Sequence, residues 1–156
     1  MLEIRNISKS FNAGTPNEVR SLRGVSLTID DGSVVVVIGT NGSGKSTLLN
    51  AIAGTFRPDS GCIVLDGMNI TDWPEHRRAK LIGRVFQNPF SGTAPGMTIG
   101  ENMALATRRG RHGTLGWAVS GSMKKQFEEH VSALRLGLEN RLDHDIGNLS
   151  GGQRQA

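Results

Sequence analysis

The stretch that decides the fold is VVVVIGTNGSGKSTLLNAIAG, residues 34–54. Its first part, Val34–Ile38, is a continuous β-branched run, which predicts a strand buried on both faces of a parallel sheet. The segment Gly39–Gly44 interrupts that run. Apolar residues then recur at helical spacing up to Gly54, at Leu48, Leu49, Ile52 and Ala53. A strand, a glycine loop and a helix in this order predict the beginning of an α/β core.

The loop fits the pattern G-x-x-x-x-G-K-[ST], which is typical of phosphate-binding loops. Glycines let backbone N–H groups converge on phosphate oxygens, and the following helix directs its positive end at the same anion. Lys45 would supply a compact charge to the β- and γ-phosphates of ATP, and Ser46 a hydroxyl to Mg²⁺. A plain glycine-rich turn is the alternative, and the apolar strand and helix on either side disfavour it. The candidate nucleotide-binding residues are Gly39, Asn41, Gly42, Ser43, Gly44, Lys45, Ser46 and Thr47.

A second motif, Leu149–Gln155, reads LSGGQRQ. Ser150 and Gln153 form an S-x-x-Q capping box that predicts the start of a helix. Gly151 and Gly152 would leave the first N–H groups of that helix uncovered, as an anion-binding helix start requires. A plain helix cap explains the motif equally well by itself. The phosphate loop about a hundred residues upstream favours the anion-binding interpretation.

The sequence LSGGQ resembles the signature sequence of ATP-binding cassette (ABC) ATPases, and the chain resembles that family along its whole length. The resemblance implies an α/β fold: a phosphate-loop NTPase core with an N-terminal antiparallel β subdomain and a helical subdomain that carries the signature. It divides the chain into the ATP-binding core with its β subdomain, residues 1–87, and the Q-loop with the helical subdomain, residues 88–156.

Two further site residues follow from the resemblance. Val85–Pro89 resembles the Q-loop of the family, in which Gln87 would contact Mg²⁺ or the attacking water while its loop touches a membrane subunit. Phe11 occupies the place of the aromatic residue that stacks on adenine in family members, usually a tyrosine; this chain has no tyrosine. A core or loop aromatic is an equally good interpretation of Phe11.

The family also implies a head-to-tail dimer that sandwiches each ATP between the phosphate loop of one copy and the signature of the other. Ser150, Gly151 and Gly152 would then bind the γ-phosphate held by Lys45 of a second copy, and Gln153 is a further candidate nucleotide-binding residue. Family members continue past the signature with a strand that ends in Asp-Glu and a switch histidine. Because the sequence stops at Ala156, we expect the C-terminal part of the core to be missing and residues 1–156 alone not to turn over ATP.

The remaining elements are predicted from periodicity and capping. Alternating apolar residues predict a small N-terminal antiparallel sheet, and Cys62–Leu65 and Arg84–Phe86 are further strand candidates. Thr98 and Glu101 form a capping box that predicts a helix through Ala106. Arg108–Gly121 is predicted to be a loop, followed by a helix that begins near Met123. The apolar residues on which these predictions rest are Leu2, Ile4, Ile7, Val25, Leu27 and Ile29 for the sheet, and Phe127, Val131, Leu134 and Leu138 for the last helix.

Composition narrows the class of protein only slightly. The net charge is +4, one cysteine excludes an internal disulfide, and no apolar run approaches the roughly 20 residues that span a bilayer. The basic cluster Arg108, Arg109, Arg111 and His112 has no interleaved aromatic residues, so a solvated loop is favoured over a nucleic-acid surface. No nucleic-acid partner is therefore expected, and Mg²⁺ is the only metal for which we expect a site.

The resemblance leaves two kinds of function. One is a motor subunit bound to the inner, cytoplasmic face of the cell membrane, with permease subunits and a solute-binding protein as partners. The other is a soluble relative acting on ribosomes or nucleic acid; the short spacing from phosphate loop to signature favours the transporter. Within transporters, His144–Asn148 lacks the T-E-V-G-E-like stretch of many exporters and favours uptake of a small solute such as an amino acid. The insertion Gly14–Arg20 resembles lipoprotein-releasing and efflux ATPases and points the other way.

Overall fold

The computed structural model describes residues 1–109 and 119–155. The chain forms two compact units, Met1–Ile82 and Gly83–Ala156. The sequence-based division, between residues 87 and 88, lies slightly later in the chain than the boundary between these two units. The expected basic loop lies largely outside the described residues, since residues 110–118 are not among them.

The first unit is built on a four-stranded antiparallel sheet. Its strands are β1 (Leu2–Phe11), β2 (Val19–Ile29), β3 (Ser60–Leu65) and β4 (Met68–Asn69), in the order β2-β1-β3-β4. Leu2 lies opposite Ile29 on one side and Leu65 on the other, which sets the register of the three longer strands. The predicted N-terminal sheet and the Cys62–Leu65 strand are confirmed.

Helix α1 (Lys45–Ala53) follows the glycine loop as predicted, and a short helix α2 (Glu75–Arg78) closes the first unit. Buried residues of β1, β2 and β3 share one core with residues of α1, so the core forms between the sheet and the helix. Its fully or nearly buried members are Ile4, Ile7, Leu22, Leu48, Ala51, Ile63 and Ile70. This packing holds the start of α1, and with it the glycine loop, against the sheet.

The prediction of a buried strand over Val34–Ile38 is wrong in this structure. The segment has no secondary structure, and Val34, Val36 and Ile38 are 91%, 74% and 89% exposed. A parallel strand needs neighbours that accept its hydrogen bonds and layers that cover both of its faces. None of the described residues provides them. The predicted short strand Arg84–Phe86 is likewise absent, and Val85 is 78% exposed.

The second unit is helical. It contains α3 (Ile99–Thr107), α4 (Gly121–Ala133) and α5 (Gly151–Gln155), with 3-10 turns at Pro89–Gly92 and Ile146–Asn148. The predicted capping box is confirmed, because the Thr98 side chain accepts from the Glu101 N–H and the Glu101 carboxylate from the Thr98 N–H. The core of this unit consists of Ile99, Ala104, Phe127, Val131, Leu138, Leu142 and Ile146. Leu134, expected on the same face, is 45% exposed because α4 ends before it. No described helix is long and apolar enough to cross a membrane.

A buried arginine joins α1 to the segment that leads into α2. Arg78 is only 1% exposed, and its guanidinium donates to the carbonyls of Ala51 and Ile52 at the end of α1 and to those of Thr71 and Trp73. Burial lowers the pKa of Arg78 from its ordinary value, and Asp72 opposes that shift. The planar fork thus supplies donors both to carbonyls at the end of α1 and to carbonyls of the segment before α2.

Close packing around this arginine explains the glycine that ends α1. Gly54 adopts φ +85°, and a Cβ placed on it would lie 2.8 Å from Arg78 Nε. The position therefore requires glycine both for its backbone conformation and for space.

Replacing Arg78 with leucine is expected to lower the free energy of unfolding by about 2–4 kcal/mol, since it leaves buried carbonyls unpaired. Urea unfolding of the full-length protein measures this. Arg78→Lys should lose less, because it keeps the charge but not the fork, and Lys80→Leu on the exposed surface should change little. A loss for Arg78→Leu no larger than for Lys80→Leu would contradict the assignment.

Candidate nucleotide-binding site

The glycine loop enters α1 through residues that only glycine fits. Gly42 and Gly44 have φ of +82° and +92°, and Gly44 is the N-cap of the helix without a side chain to cap it. A Cβ on Gly44 would lie 2.5 Å from the carbonyl oxygen of Ser21 in β2. The loop is therefore pressed against the sheet at this point, and its left-handed turn leaves the helix start uncovered by any side-chain cap.

Lys45 bends back across the loop. Its Nζ donates to the carbonyl oxygens of Gly39 at 2.7 Å and Thr40 at 2.8 Å. An ammonium group has three N–H donors, so one remains for an oxygen of an incoming phosphate. The Ser43 N–H donates to the Thr40 carbonyl at 3.2 Å and closes the turn. The loop thus holds a half-buried positive charge above its own backbone.

These residues fit a phosphate group. A Cβ on Gly42 would meet nothing within 4 Å, so there is open space beside the loop. Ser46 is exposed in the first turn of α1, where its hydroxyl is accessible to a metal ion. The loop glycines, Lys45 and Thr47 would hold the phosphates, and Ser46 would hold Mg²⁺. When bound, Mg²⁺ supplies positive charge that offsets charge developing on the phosphate oxygens.

Phe11 belongs to the same unit as the glycine loop. It lies at the end of β1, is 36% exposed, and meets Phe56 edge-on with ring centroids 5.4 Å apart. A partly exposed ring at a strand end is able to stack on a flat ligand.

Gln87 lies in the second unit and is exposed. Gln87 and Asn88 precede the 3-10 turn Pro89–Gly92. The Asn88 side chain caps this turn by accepting from the Phe90 N–H at 3.0 Å. This cap ends the extended chain directly after Gln87 and leaves its side chain on a loop.

The signature begins α5 with the predicted capping box. The Gln153 N–H donates to Ser150 Oγ at 3.3 Å, and the Ser150 N–H donates to Gln153 Oε1 at 3.2 Å. A Cβ on Gly152 would meet nothing within 4 Å, whereas one on Gly151 would lie 3.8 Å from Pro89. The signature helix therefore lies beside the turn that follows Gln87, and its Gly152 faces open space.

Sequence reasoning missed Arg154, the buried residue of this helix. It is 7% exposed, donates to the Ile146 carbonyl at 2.7 Å, and lies over the Phe90 ring at 4.2 Å. It thus joins the signature helix to the turn after Gln87. Nothing in a run of Gln-Arg-Gln indicates which of the three is buried, because that depends on contacts with residues far away in the sequence.

The predicted site residues thus form two groups. The glycine loop, Lys45, Ser46, Thr47 and Phe11 belong to the first unit, and Gln87 with Ser150–Gln153 to the second. Each group is organised around its own helix start, α1 or α5.

Comparison with known proteins identifies the family and the fold. The family model described as "ABC transporter" matches residues 22–156. The chain therefore belongs to the ABC transporter family. Its fold is that of an ABC cassette with an antiparallel β subdomain, which confirms the predicted fold class.

Individual relatives carry more specific names. The chain is 42% identical over its full length to a tyrosine transport ATP-binding protein of Clostridioides difficile, of which it covers 62%. It is 35% identical to a lipoprotein-releasing system ATP-binding protein of Caulobacter vibrioides, covering 99% of this chain and 64% of that protein. A solved dimeric ATP-binding cassette in a post-hydrolysis state with ADP and Pi matches with a TM-score of 0.79 and 30% identity, over 99% of this chain and 65% of that one. The chain thus spans less than two thirds of the length of these relatives.

Proposed function

We propose that the full-length protein binds and hydrolyses ATP with Mg²⁺ and thereby powers the uptake of a small solute, such as an amino acid, across a membrane. The observation that carries this proposal is the glycine loop with Lys45 folded over it, in a chain that also carries the signature helix start. The first binds the phosphates of a nucleotide, and the second offers a further set of N–H groups to an anion.

The chain's own residues have distinct roles in this proposal. Lys45 exchanges or extends its contacts with the Gly39 and Thr40 carbonyls toward the β- and γ-phosphates. Ser46 orients the metal ion, and Gln87 contacts Mg²⁺ or the attacking water. Phe11 stacks on the adenine.

A second copy completes each site. In a head-to-tail dimer, Ser150, Gly151, Gly152 and Gln153 of one copy face the nucleotide on Lys45 of the other. The similarity to a solved cassette dimer that contains ADP and Pi supports this arrangement. It also explains why one chain carries two helix starts suited to anions.

Uptake of an amino acid is favoured by two relatives named for amino-acid transport. One is the tyrosine transport protein, and the other is a probable branched-chain amino acid transport protein of Archaeoglobus fulgidus at 36% identity. The partners would be integral permease subunits and a solute-binding protein, with the ATPase on the inner face of the membrane. Lipoprotein release or efflux is the second candidate, supported by the relative from Caulobacter vibrioides and by the loop between β1 and β2.

Uptake of labelled amino acids by cells that lack the gene tests the proposal. We expect uptake of one amino acid, or of a few related ones, to fall to background. The wild-type gene should restore it, and a gene carrying Lys45→Ala should not. Normal uptake of every amino acid together with retained lipoproteins or raised drug sensitivity would favour the second candidate. Co-purification with ribosomal RNA in place of a membrane subunit would contradict both.

A further inference from the structure

Two segments of the first unit that are distant in the sequence are hydrogen-bonded to each other beside Phe11. One is the end of β1, Ser8–Phe11, and the other is the segment Phe56–Asp59 that follows α1. The Asp59 carboxylate accepts from Lys9 Nζ and from the Ser10 N–H, both at 2.6 Å, and the Asp59 N–H donates to the Ser8 carbonyl at 2.8 Å. These bonds lower the pKa of Asp59, with the Lys9 contact as the largest cause. Asp59 is therefore a charged anchor for the strand end.

Lys9, Phe11 and Phe56 form a triangle above this anchor. The two rings are 5.4 Å apart between centroids and inclined at 85°, an arrangement that aromatic pairs favour. Lys9 Nζ lies 5.8 Å from the Phe11 centroid and 5.5 Å from that of Phe56, within the range of cation–π attraction. The Lys9 side chain is only 17% exposed, so its position is fixed by Asp59 and both rings.

The triangle links Phe11 to the helix that begins with Lys45. Phe56 lies just beyond the end of α1 and packs against the core that α1 forms with the sheet. Phe11 is the last residue of β1, lies opposite Val19 of β2, and is 36% exposed. The contacts with Phe56 and Lys9 therefore tie this ring to the segment that follows α1.

We propose that Phe56 and the Lys9–Asp59 ion pair are positioning residues for the base of the bound nucleotide. They would hold Phe11 at a fixed place beside the phosphate-binding helix, so that its ring is ready to stack on adenine. The inference rests on the proposed function, in which Phe11 contacts the base and Lys45 the phosphates. It adds that the aromatic platform is a three-residue assembly, in which loss of the second ring weakens binding of the base without touching the phosphates.

A purely structural role for these residues would predict a different pattern of effects on ligand binding. A residue that only supports the fold affects every ligand of the loop equally. A positioning residue for the base affects ATP but not inorganic tripolyphosphate, which carries the phosphates without a base. The ratio of these two affinities therefore separates the two roles.

The experiment measures binding of ATP and of tripolyphosphate, each with Mg²⁺, to the full-length protein by calorimetry. A fluorescent adenine analogue, whose emission is quenched by stacking, gives a second readout. The variants are Phe56→Leu, Phe56→Tyr, Lys9→Met and Phe11→Leu, with Phe127→Leu in the helical unit as the matched control. Thermal unfolding of each variant identifies any that fails to fold, and Asp59→Asn then replaces it as a near-isosteric test of the same assembly.

Loss of stacking from Phe11→Leu should weaken ATP binding roughly five- to a hundredfold. We expect Phe56→Leu to weaken it roughly three- to tenfold and Lys9→Met by a similar or smaller factor, as loss of one aromatic or cation–π contact implies. Tripolyphosphate binding should be unchanged in all of them, Phe56→Tyr should retain wild-type behaviour, and Phe127→Leu should alter neither ligand.

Several results would overturn the inference. One is wild-type ATP binding by Phe56→Leu while Phe11→Leu is impaired, which would leave the proposed function intact. Another is an equal loss of ATP and tripolyphosphate binding in Phe56→Leu, which would indicate a purely structural role. If Phe11→Leu had no effect on ATP binding, Phe11 would not be the residue that stacks on the base, and the inference would fail. Failure of the wild-type protein to bind either ligand would contradict the proposed function.

Discussion

Replacing Lys45 with alanine is expected to weaken nucleotide binding by about 10- to 100-fold and to reduce ATP hydrolysis by at least about 100-fold. The Lys45 ammonium folds over the backbone of the glycine loop and donates to the Gly39 and Thr40 carbonyls. In the proposed function, its loss removes a charge-assisted contact to the phosphates in both the ground state and the transition state. Calorimetry and phosphate release by the full-length protein measure the two effects.

A mixing experiment provides the control and tests the dimer. Ser150→Arg should also abolish hydrolysis, because it fills the signature helix start with a bulky side chain. In a head-to-tail dimer of Lys45→Ala with Ser150→Arg, one of the two sites has an intact loop and an intact signature. With random pairing, mixing the two inactive variants should restore about a quarter of the wild-type sites. Restored ATP hydrolysis in the mixture, with no gain when wild-type protein is mixed with the wild-type-like variant Lys80→Ala, would agree with the shared site. A mixture that stays inactive would contradict it.

Val36→Lys is expected to reduce self-association of residues 1–156 alone but to lower the stability of the full-length protein. In the shorter chain Val36 is 74% exposed within an apolar run, so a charge should reduce self-association and binding of the dye ANS. In the full-length protein we expect this run to be a strand covered on both faces. A lone lysine there should cost roughly 3–5 kcal/mol, a large fraction of the stability of a domain.

Sedimentation and dye binding measure the first effect, and urea unfolding of the full-length protein measures the second. Val19→Lys is the matched control, since Val19 is 56% exposed on a paired strand and belongs to no apolar run. It should be nearly neutral in both chains. If Val36→Lys were also neutral in the full-length protein, Val34–Ile38 would not be a buried strand.

The N-terminal sheet and the capping boxes could be predicted because short-range patterns control them. Alternating apolar residues in β1 and β2 match the period of a half-buried strand, and the Thr98–Glu101 and Ser150–Gln153 boxes involve partners three residues apart. The same local rule failed for Val34–Ile38. A β-branched run favours an extended chain, but whether it becomes a strand depends on neighbours that no described residue supplies.

The candidate site divides in the same way. The sequence by itself determined the glycine loop, the lysine at its end and the start of α1, because left-handed glycines and a helix start are encoded within nine consecutive residues, Gly39–Thr47. Only the tertiary structure decided that Arg78 and Arg154 are the buried arginines within residues 1–109 and 119–155, and that Phe56 and Lys9 surround Phe11. The physical reason is that burial, ring contacts and paired carbonyls join residues that are far apart in the sequence, such as Phe90 and Arg154. Those partners are chosen by how the elements pack, and no local pattern specifies that packing.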